Sequence, residues 1–432
     1  MDNQIAPGPQ GIYYDRPHRI VYQVAPGIPR TSKDWRLALV YLLPPLLVVA
    51  RLTLFIRRRA GTDFTDVDAH AGAEIALVMV TCAVLVASRQ TRIVLGRLSR
   101  MSIGMLLVFY GFAGLSAAWS AMPEYSAYRA LEFASQFTAI LVGISCFEGF
   151  LKAEKAVLIL GLLVAFLGFA GAAKLTHFSS LHTNQYAAGA SMVLCYCFAE
   201  IPRATGRRRS MLIVSAVMGL LIVALGTCAT ANVATFVGLL AGVVLTRNRI
   251  GLIALVSLAL VVILVPGLRT DFLDVATGIL FPGKSDSQIQ GLGGRLSMWE
   301  GAIAVASTRP LVGHGFAVQA RLEGLITAHN VFVQVFLDTG IVGVVLFSVS
   351  LLMFVKEVVQ RWNTVPLGLT GCLAAFISVL VHSMGLPIVG AQWLAPSFAF
   401  AAFAGLYMNH VYCATNHRLL HPEFEYARRL GY

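Results

Sequence analysis

The chain has 432 residues, of which 57% are hydrophobic and only 12% are charged. Soluble globular proteins average about 25% charged residues, so this composition excludes a soluble enzyme and predicts a polytopic membrane protein. The formal net charge is +12 at pH 7. The basic residues fall in short clusters between apolar runs, which is the positive-inside pattern of membrane proteins. No nucleic-acid partner is therefore expected, whereas membrane lipids are.

A helix that spans a bilayer needs roughly 20 apolar residues. This criterion predicts an all-α fold with about twelve transmembrane helices. The predicted spans are 37–56, 71–88, 101–119, 130–150, 156–174, 185–201, 211–227, 231–246, 250–267, 329–355, 367–385 and 392–410.

The predicted organisation has five parts. They are a disordered cytoplasmic tail without a cleavable signal (1–35), nine helices (36–267), a long loop (268–328), three helices (329–410) and a cytoplasmic tail (411–432). Arginine clusters at 89–100 and 203–209 place both termini in the cytoplasm and the long loop outside. Arg57, Arg58 and Arg59 would then also lie outside, which leaves the topology of the first helix open.

The long loop contains a segment with helical periodicity. Apolar residues recur at a helical spacing after Arg295, at Leu296, Trp299, Ile303 and Ala306, before Pro310 stops the run. This pattern predicts an amphipathic helix that begins at Arg295 and lies on the outer surface.

A polar line follows at the start of the next span. His329 carries an imidazole that can accept a proton from a hydroxyl near neutral pH. Asn330, Gln334 and Asp338 recur every four residues and share one helical face beside it. Ionisable groups in a span predict a functional site, and these three residues, together with Trp299, are candidate substrate contacts. The alternative is a polar stripe that joins helices through hydrogen bonds.

Arginines near the same outer boundary are candidates for binding a phosphate group, because a guanidinium matches phosphate oxygens. They are Arg295, Arg309, Arg321 and Arg129. Arg295, Arg309 and Arg321 have lipid anchoring as the alternative, and Arg129 has an ion pair with Glu132 three residues on. No zinc motif or magnesium-type acidic cluster is visible, so neither a metal nor a cofactor is expected.

Two blocks of residues resemble one family. The first runs from Gly294 through Arg295 and Trp299 to Pro310, Gly313 and Gly315, then His329-Asn330, then Gly340 and Gly343. It resembles the O-antigen ligase/polymerase superfamily. The second, Leu115 to Ser126 with Trp119-Ser120 and Pro123, is similar to the Trp-Ser-x-x-Pro block of the exopolysaccharide-polymerase branch.

The resemblance implies a glycosyltransferase of the bacterial inner membrane whose active site faces the periplasm. Its donor would be a glycan on undecaprenyl diphosphate, and its acceptor another lipid-linked glycan or lipid A-core. The matching positions make His329 the base for the acceptor hydroxyl and Arg295 a contact of the donor diphosphate, with inversion at the anomeric carbon. Whether a chain-length regulator binds stays open.

One departure from the family concerns the segment ahead of the long loop. Family members often carry a Ser-Arg pair there, whereas this chain reads Gly226-Thr-Cys-Ala-Thr-Ala-Asn232. We expect a polysaccharide polymerase, because of the Trp119 block. The alternatives are an O-antigen ligase and, in another class, a transporter or flippase of lipid-linked sugars; a sugar acyltransferase is the weakest alternative.

Overall fold

The fold is described by a computed structural model. The described residues are 13–14, 20–21, 43–52, 69–99, 101–145, 147, 150–173, 183–226, 228–246, 274–281, 285, 289, 294–321, 328–361, 368–386, 388 and 395–410. The predicted span 250–267 and the tail 411–432 lie outside them, as does most of 1–35.

The chain forms two compact units, Met1–Val40 and Tyr41–Tyr432. In the first unit, strands β1 (Tyr13–Tyr14) and β2 (Ile20–Val21) pair antiparallel, with Tyr13 opposite Val21. The second unit is helical throughout its described residues, apart from short turns and connections.

The second unit contains a series of α-helices, several of them separated by residues outside the described part of the structure. The first seven are α1 (Leu43–Leu52), α2 (Ala69–Ala87), α3 (Arg89–Leu98), α4 (Met105–Leu115), α5 (Pro123–Ser145), α6 (Phe150–Ala172) and α7 (Thr183–Glu200). The next six are α8 (Gly206–Gly226), α9 (Ala229–Leu245), α10 (Arg295–Ala306), α11 (Val331–Arg361), α12 (Leu369–Ser383) and α13 (Ala395–Met408). Each predicted span that falls on described residues overlaps one of these helices.

Within the described ranges, four helical segments are long and apolar enough to cross a membrane. They are Ser102–Trp119, Phe150–Ala172, Gly206–Gly226 and Val331–Gln360. The bent pair α2 and α3, whose axes differ by 87°, makes up to five. The prediction of a helical membrane protein is therefore confirmed, whereas the count of about twelve spans stays a prediction.

Helix α7 lies at the centre of the bundle and packs against α8, α9 and α12. Small residues permit the close approach: a side chain at Gly219 would meet Ala190 and Leu194 of α7. Hydroxyls then join the helices, since Thr235 donates to Ser191 at 2.7 Å and the Ser191 and Ser378 oxygens lie 2.8 Å apart. This combination of small residues and hydroxyl bonds is typical of helix packing in membranes.

Helix α11 is broken at Gly340, whose backbone angles are φ 64° and ψ −166°. Essentially only glycine adopts this region. The break divides α11 into a first half that begins at Val331 and a second half that ends at Arg361.

The surface helix of the long loop begins at Arg295 and ends at Ala306, ahead of Pro310, as predicted. Its apolar stripe is divided, however. Ala302 and Ala306 are buried, whereas Leu296 and Ile303 are 44% and 45% exposed. The packed face is thus made of small residues, because α10 lies close against α11.

Candidate functional site

The Pro310–Gly315 loop binds the break in α11 through backbone hydrogen bonds. His314 N–H donates to Leu337 O at 3.0 Å, and Gly315 N–H donates to Asp338 O at 2.9 Å. In return, Ile341 N–H donates to Pro310 O at 2.8 Å. The loop therefore satisfies backbone groups that an unbroken helix would pair internally.

The Trp119 block docks on the other side of the same loop. Trp119 Nε1 donates to Val312 O at 3.1 Å, and Ser126 Oγ donates to Phe316 O at 2.8 Å. A side chain at Gly315 would collide with Ser120. The two blocks that were recognised separately in the sequence thus form one structural unit.

His314 and Arg309 have local contacts in this unit. His314 Nε2 lies 3.0 Å from Val305 O, close to the end of α10, and 3.2 Å from Thr308 Oγ1. Arg309 is exposed, and its Nη1 donates to Trp119 O at 3.3 Å. Both residues therefore connect the loop to its neighbours.

His329 occupies a turn between α10 and α11. Its φ of +49° lies in the left-handed region, which costs an L-residue about 1–2 kcal/mol. The preceding carbonyl, Ala328 O, accepts a hydrogen bond of 2.6 Å from Trp299 Nε1 of α10. His329 is half-buried in this turn, which the Trp299 bond ties to α10.

Three polar residues after His329 form hydrogen bonds within the first half of α11 or back to the turn before it. Asn330 Oδ1 accepts from Phe332 N–H at 2.9 Å and so caps α11. Gln334 Oε1 accepts from Ala328 N–H at 3.2 Å, while its Nε2 donates to Asp338 Oδ1 at 3.0 Å. All three side chains are buried. Their role as substrate contacts stays a prediction, as does the alternative of a polar stripe that joins helices.

Arg295 lies one helical turn before Trp299 on α10, so both side chains share a face. Arg295 Nη1 donates to Thr230 Oγ1 at 3.2 Å, and a side chain at Gly385 would lie only 2.9 Å from Nη1. Among the described residues no carboxylate lies within ion-pair distance of Arg295. Burial lowers the pKa of the Arg295 guanidinium, with Cys228 opposing this less strongly, yet arginine keeps its charge.

Two helices begin beside Arg295. Cys228 caps α9 by accepting from Ala231 N–H at 3.4 Å, and its thiol donates to Asn184 Oδ1, in the first turn of α7, at 2.8 Å. Thr230, the partner of Arg295, is in the first turn of α9. Helix N-termini carry partial positive charge and attract anions. We call Arg295, Thr230, Cys228 and Gly385 the Arg295 site; its cation and helix ends together favour a bound anion.

His382 is buried against the backbone of Asn184 and Thr230, within electrostatic range of Arg295. The sequence analysis did not assign His382, Thr230 or Gly385 to the site. The signal for Thr230 was its place in the segment that departs from the family pattern. His382 and Gly385 are brought in by α12, which the sequence alone did not connect with Arg295.

Arg129 belongs to an ion-pair network at the start of α5. Its Nη1 lies 2.6 Å from Glu132 Oε2, which confirms the predicted pair. Glu132 is fully buried and also pairs with Arg51 of α1, which in turn pairs with Glu74 of α2. Arg129 is thus held by a buried carboxylate, whereas the side chain of Arg321 lies outside the described part of the structure.

The described residues form a helical membrane protein in which α10 places Arg295 beside the start of α9 and Trp299 against the carbonyl that precedes His329. A family model described as O-antigen ligase matches residues 213–348. This match, which includes Arg295 and His329, supports the resemblance to the O-antigen ligase/polymerase superfamily. The family consists of membrane glycosyltransferase-like ligases and polymerases, and it indicates a bacterial membrane protein. No curated protein matches the chain.

Proposed function

We propose that the protein is a polymerase of lipid-linked oligosaccharides in the bacterial inner membrane. It joins repeat units carried on undecaprenyl diphosphate into a surface polysaccharide on the periplasmic side, without a metal and with inversion. Its about twelve predicted spans would hold the lipid-linked substrates in the bilayer, as the family implies.

One observation carries the proposal: α10 holds Arg295, which has no carboxylate partner among the described residues, on the same face as Trp299, which binds the turn that contains His329. Arg295 lies against the start of α9, and Trp299, one turn later, binds the carbonyl that precedes His329. A cation at a helix N-terminus is normally unfavourable. A diphosphate beside Arg295 would reverse this balance, since it satisfies both the guanidinium and the helix ends.

The proposed reaction is a direct displacement at the anomeric carbon of the donor. The acceptor hydroxyl oxygen forms the new glycosidic bond while the bond from that carbon to the diphosphate oxygen breaks. The leaving diphosphate takes the electron pair, and Arg295 stabilises the charge that develops on it. His329 accepts the hydroxyl proton. One displacement inverts the configuration.

The choice of polymerase rests on the Trp119-Ser120 and Pro123 block, which lies outside the matched segment 213–348. This block packs on the Pro310–Gly315 loop through Trp119 and Ser126. An O-antigen ligase, which transfers a glycan to lipid A-core, remains the alternative within the family.

The test replaces His329 with asparagine, which removes the imidazole base yet tolerates a left-handed backbone. Purified protein is incubated with lipid-linked repeat units, and products are separated by length. General bases contribute about 10²–10⁴-fold to rate, so we expect a loss of this size for His329→Asn. The control His314→Asn alters a histidine that contacts the end of α10 and should form normal ladders.

Addition of lipid A-core separates the remaining classes. Ladders without lipid A-core support the polymerase, whereas products formed only with it identify a ligase. Movement of the substrate across a vesicle membrane without a change in glycan length would identify a transporter. A product mass that grows by an acyl increment would identify an acyltransferase. Full-length polymer from His329→Asn would remove His329 as the base.

A further inference from the structure

The residue before His329 is bound on both of its polar backbone groups. Ala328 O accepts from Trp299 Nε1 at 2.6 Å, and Ala328 N–H donates to Gln334 Oε1 at 3.2 Å. Gln334 is itself held, because its Nε2 donates to Asp338 Oδ1 at 3.0 Å. Ala328, Gln334 and Asp338 are 3%, 0% and 0% exposed, so little water competes for these bonds. We call Trp299 and Gln334, bound to Ala328, the backbone clamp.

The clamp acts on the rotation that orients His329. Ala328 O belongs to the peptide plane that leads into His329, and φ of His329 is the rotation about the next bond. That φ is +49°, a conformation that histidine adopts only at a cost. On the other side, Asn330 caps α11 through Phe332 N–H and Val333 N–H. His329 is thus bracketed by two residues whose positions are set by hydrogen bonds.

We propose that Trp299 and Gln334 are positioning residues that aim the His329 imidazole, with Asp338 holding Gln334 in place. This rests on the proposed function of His329 as base. It also replaces the expectation that Trp299, Gln334 and Asp338 touch the substrate. Displacement of a catalytic group by about 1 Å can cost 10²-fold in rate. Loss of the clamp should therefore lower kcat while leaving KM unchanged.

The first experiment compares Trp299→Phe with Trp119→Phe. Both changes remove an indole N–H that donates to a loop carbonyl, but Trp119 binds Val312 rather than Ala328. We expect kcat of Trp299→Phe to fall roughly 10- to 100-fold, with KM for donor and acceptor within about twofold of wild type. Trp119→Phe should keep kcat within about twofold. A raised KM with normal kcat in Trp299→Phe would overturn the proposal.

The second experiment uses a base that is not attached to the chain. His329→Gly suits the left-handed backbone, and added imidazole can replace the missing side chain. In this background Trp299→Phe should leave the imidazole-dependent rate within about twofold, because a free base does not depend on the backbone of Ala328. A further tenfold fall would show that Trp299 contacts substrate and would contradict positioning.

Gln334 supplies an independent test of the same clamp. Gln334→Met keeps the length of the side chain but removes both hydrogen bonds, so its kcat should fall with KM unchanged, like that of Trp299→Phe. The two single changes act on one residue, so their combination should lower kcat less than the product of their separate effects. Independent, multiplicative effects would contradict a shared clamp.

The outcomes distinguish this inference from the proposed function. If His329→Gly without imidazole forms normal ladders, His329 is not the base and the proposed function fails. If that variant is inactive but Trp299→Phe and Gln334→Met keep normal kcat, the proposed function stands and only the clamp fails. The KM and kcat measurements with wild-type His329 decide the matter even where imidazole restores no activity.

Discussion

Two helix N-termini in this protein are completed in opposite ways. At the start of α12, Gly368 N–H and Gly371 N–H each donate to an oxygen of Glu200 at 3.0 Å. At the start of α9, the cap is the Cys228 sulfur, and Arg295 donates to Thr230 in the first turn. One helix end therefore has an anion built into the chain, whereas the other has a cation beside it.

The surroundings of the two ends strengthen the contrast. Glu200 also accepts from Arg208 at 3.0 Å, and Arg208 forms two further bonds to Glu154, at 2.6 and 2.9 Å. We call these three side chains the Glu200 cluster. Its charges are paired inside the protein, which is how buried charges are normally accommodated. The Arg295 site, by contrast, has no carboxylate among the described residues, as expected where the anion comes from a substrate.

The largest loss of stability is expected at the start of α12, where Glu200 supplies the anion. Glu200→Ala removes the acceptor of two buried backbone N–H groups and one partner of Arg208, so the free energy of unfolding should fall by about 3–5 kcal/mol. Unfolding of the purified protein in detergent measures this change. Glu300→Ala, on the exposed face of α10, is the control and should unfold like wild type. If Glu200→Ala is as stable as Glu300→Ala, then Glu200 does not stabilise the start of α12.

At the start of α9, a change of Arg295 should alter enzyme activity rather than stability. Arg295→Lys keeps the charge but loses the planar fork that matches a diphosphate, so polymerisation should slow by about 10²–10³-fold. The melting temperature should stay near that of wild type. Arg209→Lys, at an exposed position near the start of α8, is the matched control. Normal ladders from Arg295→Lys would return Arg295 to lipid anchoring.

A third helix end tests whether backbone carbonyls can also close an N-terminus. The second half of α11 begins after Gly340, where a side chain would collide with Leu311 of the loop. Gly340→Ala also places an L-residue in a glycine-only conformation, so we expect a loss of about 1–3 kcal/mol in unfolding free energy. Thermal unfolding measures it, with Gly72→Ala as control because no atom lies near a side chain there. If Gly340→Ala is as stable as wild type, the Pro310–Gly315 loop moves aside at little cost in free energy.

The smallest effect is the loss of unfolding free energy that the Arg295 charge causes at the start of α9. Arg295→Met removes a positive charge from the start of α9 and should raise the unfolding free energy by about 0.3–1 kcal/mol. Added inorganic pyrophosphate should raise the melting temperature of wild type but not of this variant. A pyrophosphate shift of equal size in both proteins would place the anion elsewhere.

Local features of the fold were predictable from the sequence. Apolar length located the helices, and the helical spacing of apolar residues after Arg295, together with Pro310, predicted the extent of α10. The Arg129–Glu132 pair follows from a spacing of three residues. These features depend on residues close together in the chain, where periodicity and terminal residues carry the information.

The remaining features arise from contacts between distant residues. Glu200 and Gly368 are 168 positions apart, and Arg295 and Thr230 are 65 apart. Arg51 is the second partner of Glu132. The sequence predicted that Arg51 lies in the first helix, whose topology was open, but not that it meets Glu132. The sequence shows that such groups are costly in a membrane, but hydropathy does not specify which groups meet.

The interlocked loop and helix break have a consequence for variation between relatives of this protein. The carbonyl of Pro310 binds Ile341 N–H, and Asp338 O binds Gly315 N–H, so each segment uses backbone groups that the other exposes. An insertion between 310 and 315 would leave those groups unpaired unless the break at Gly340 moved with it. The two segments should therefore be inherited as a pair, and chimaeras that exchange only one of them should fail to fold.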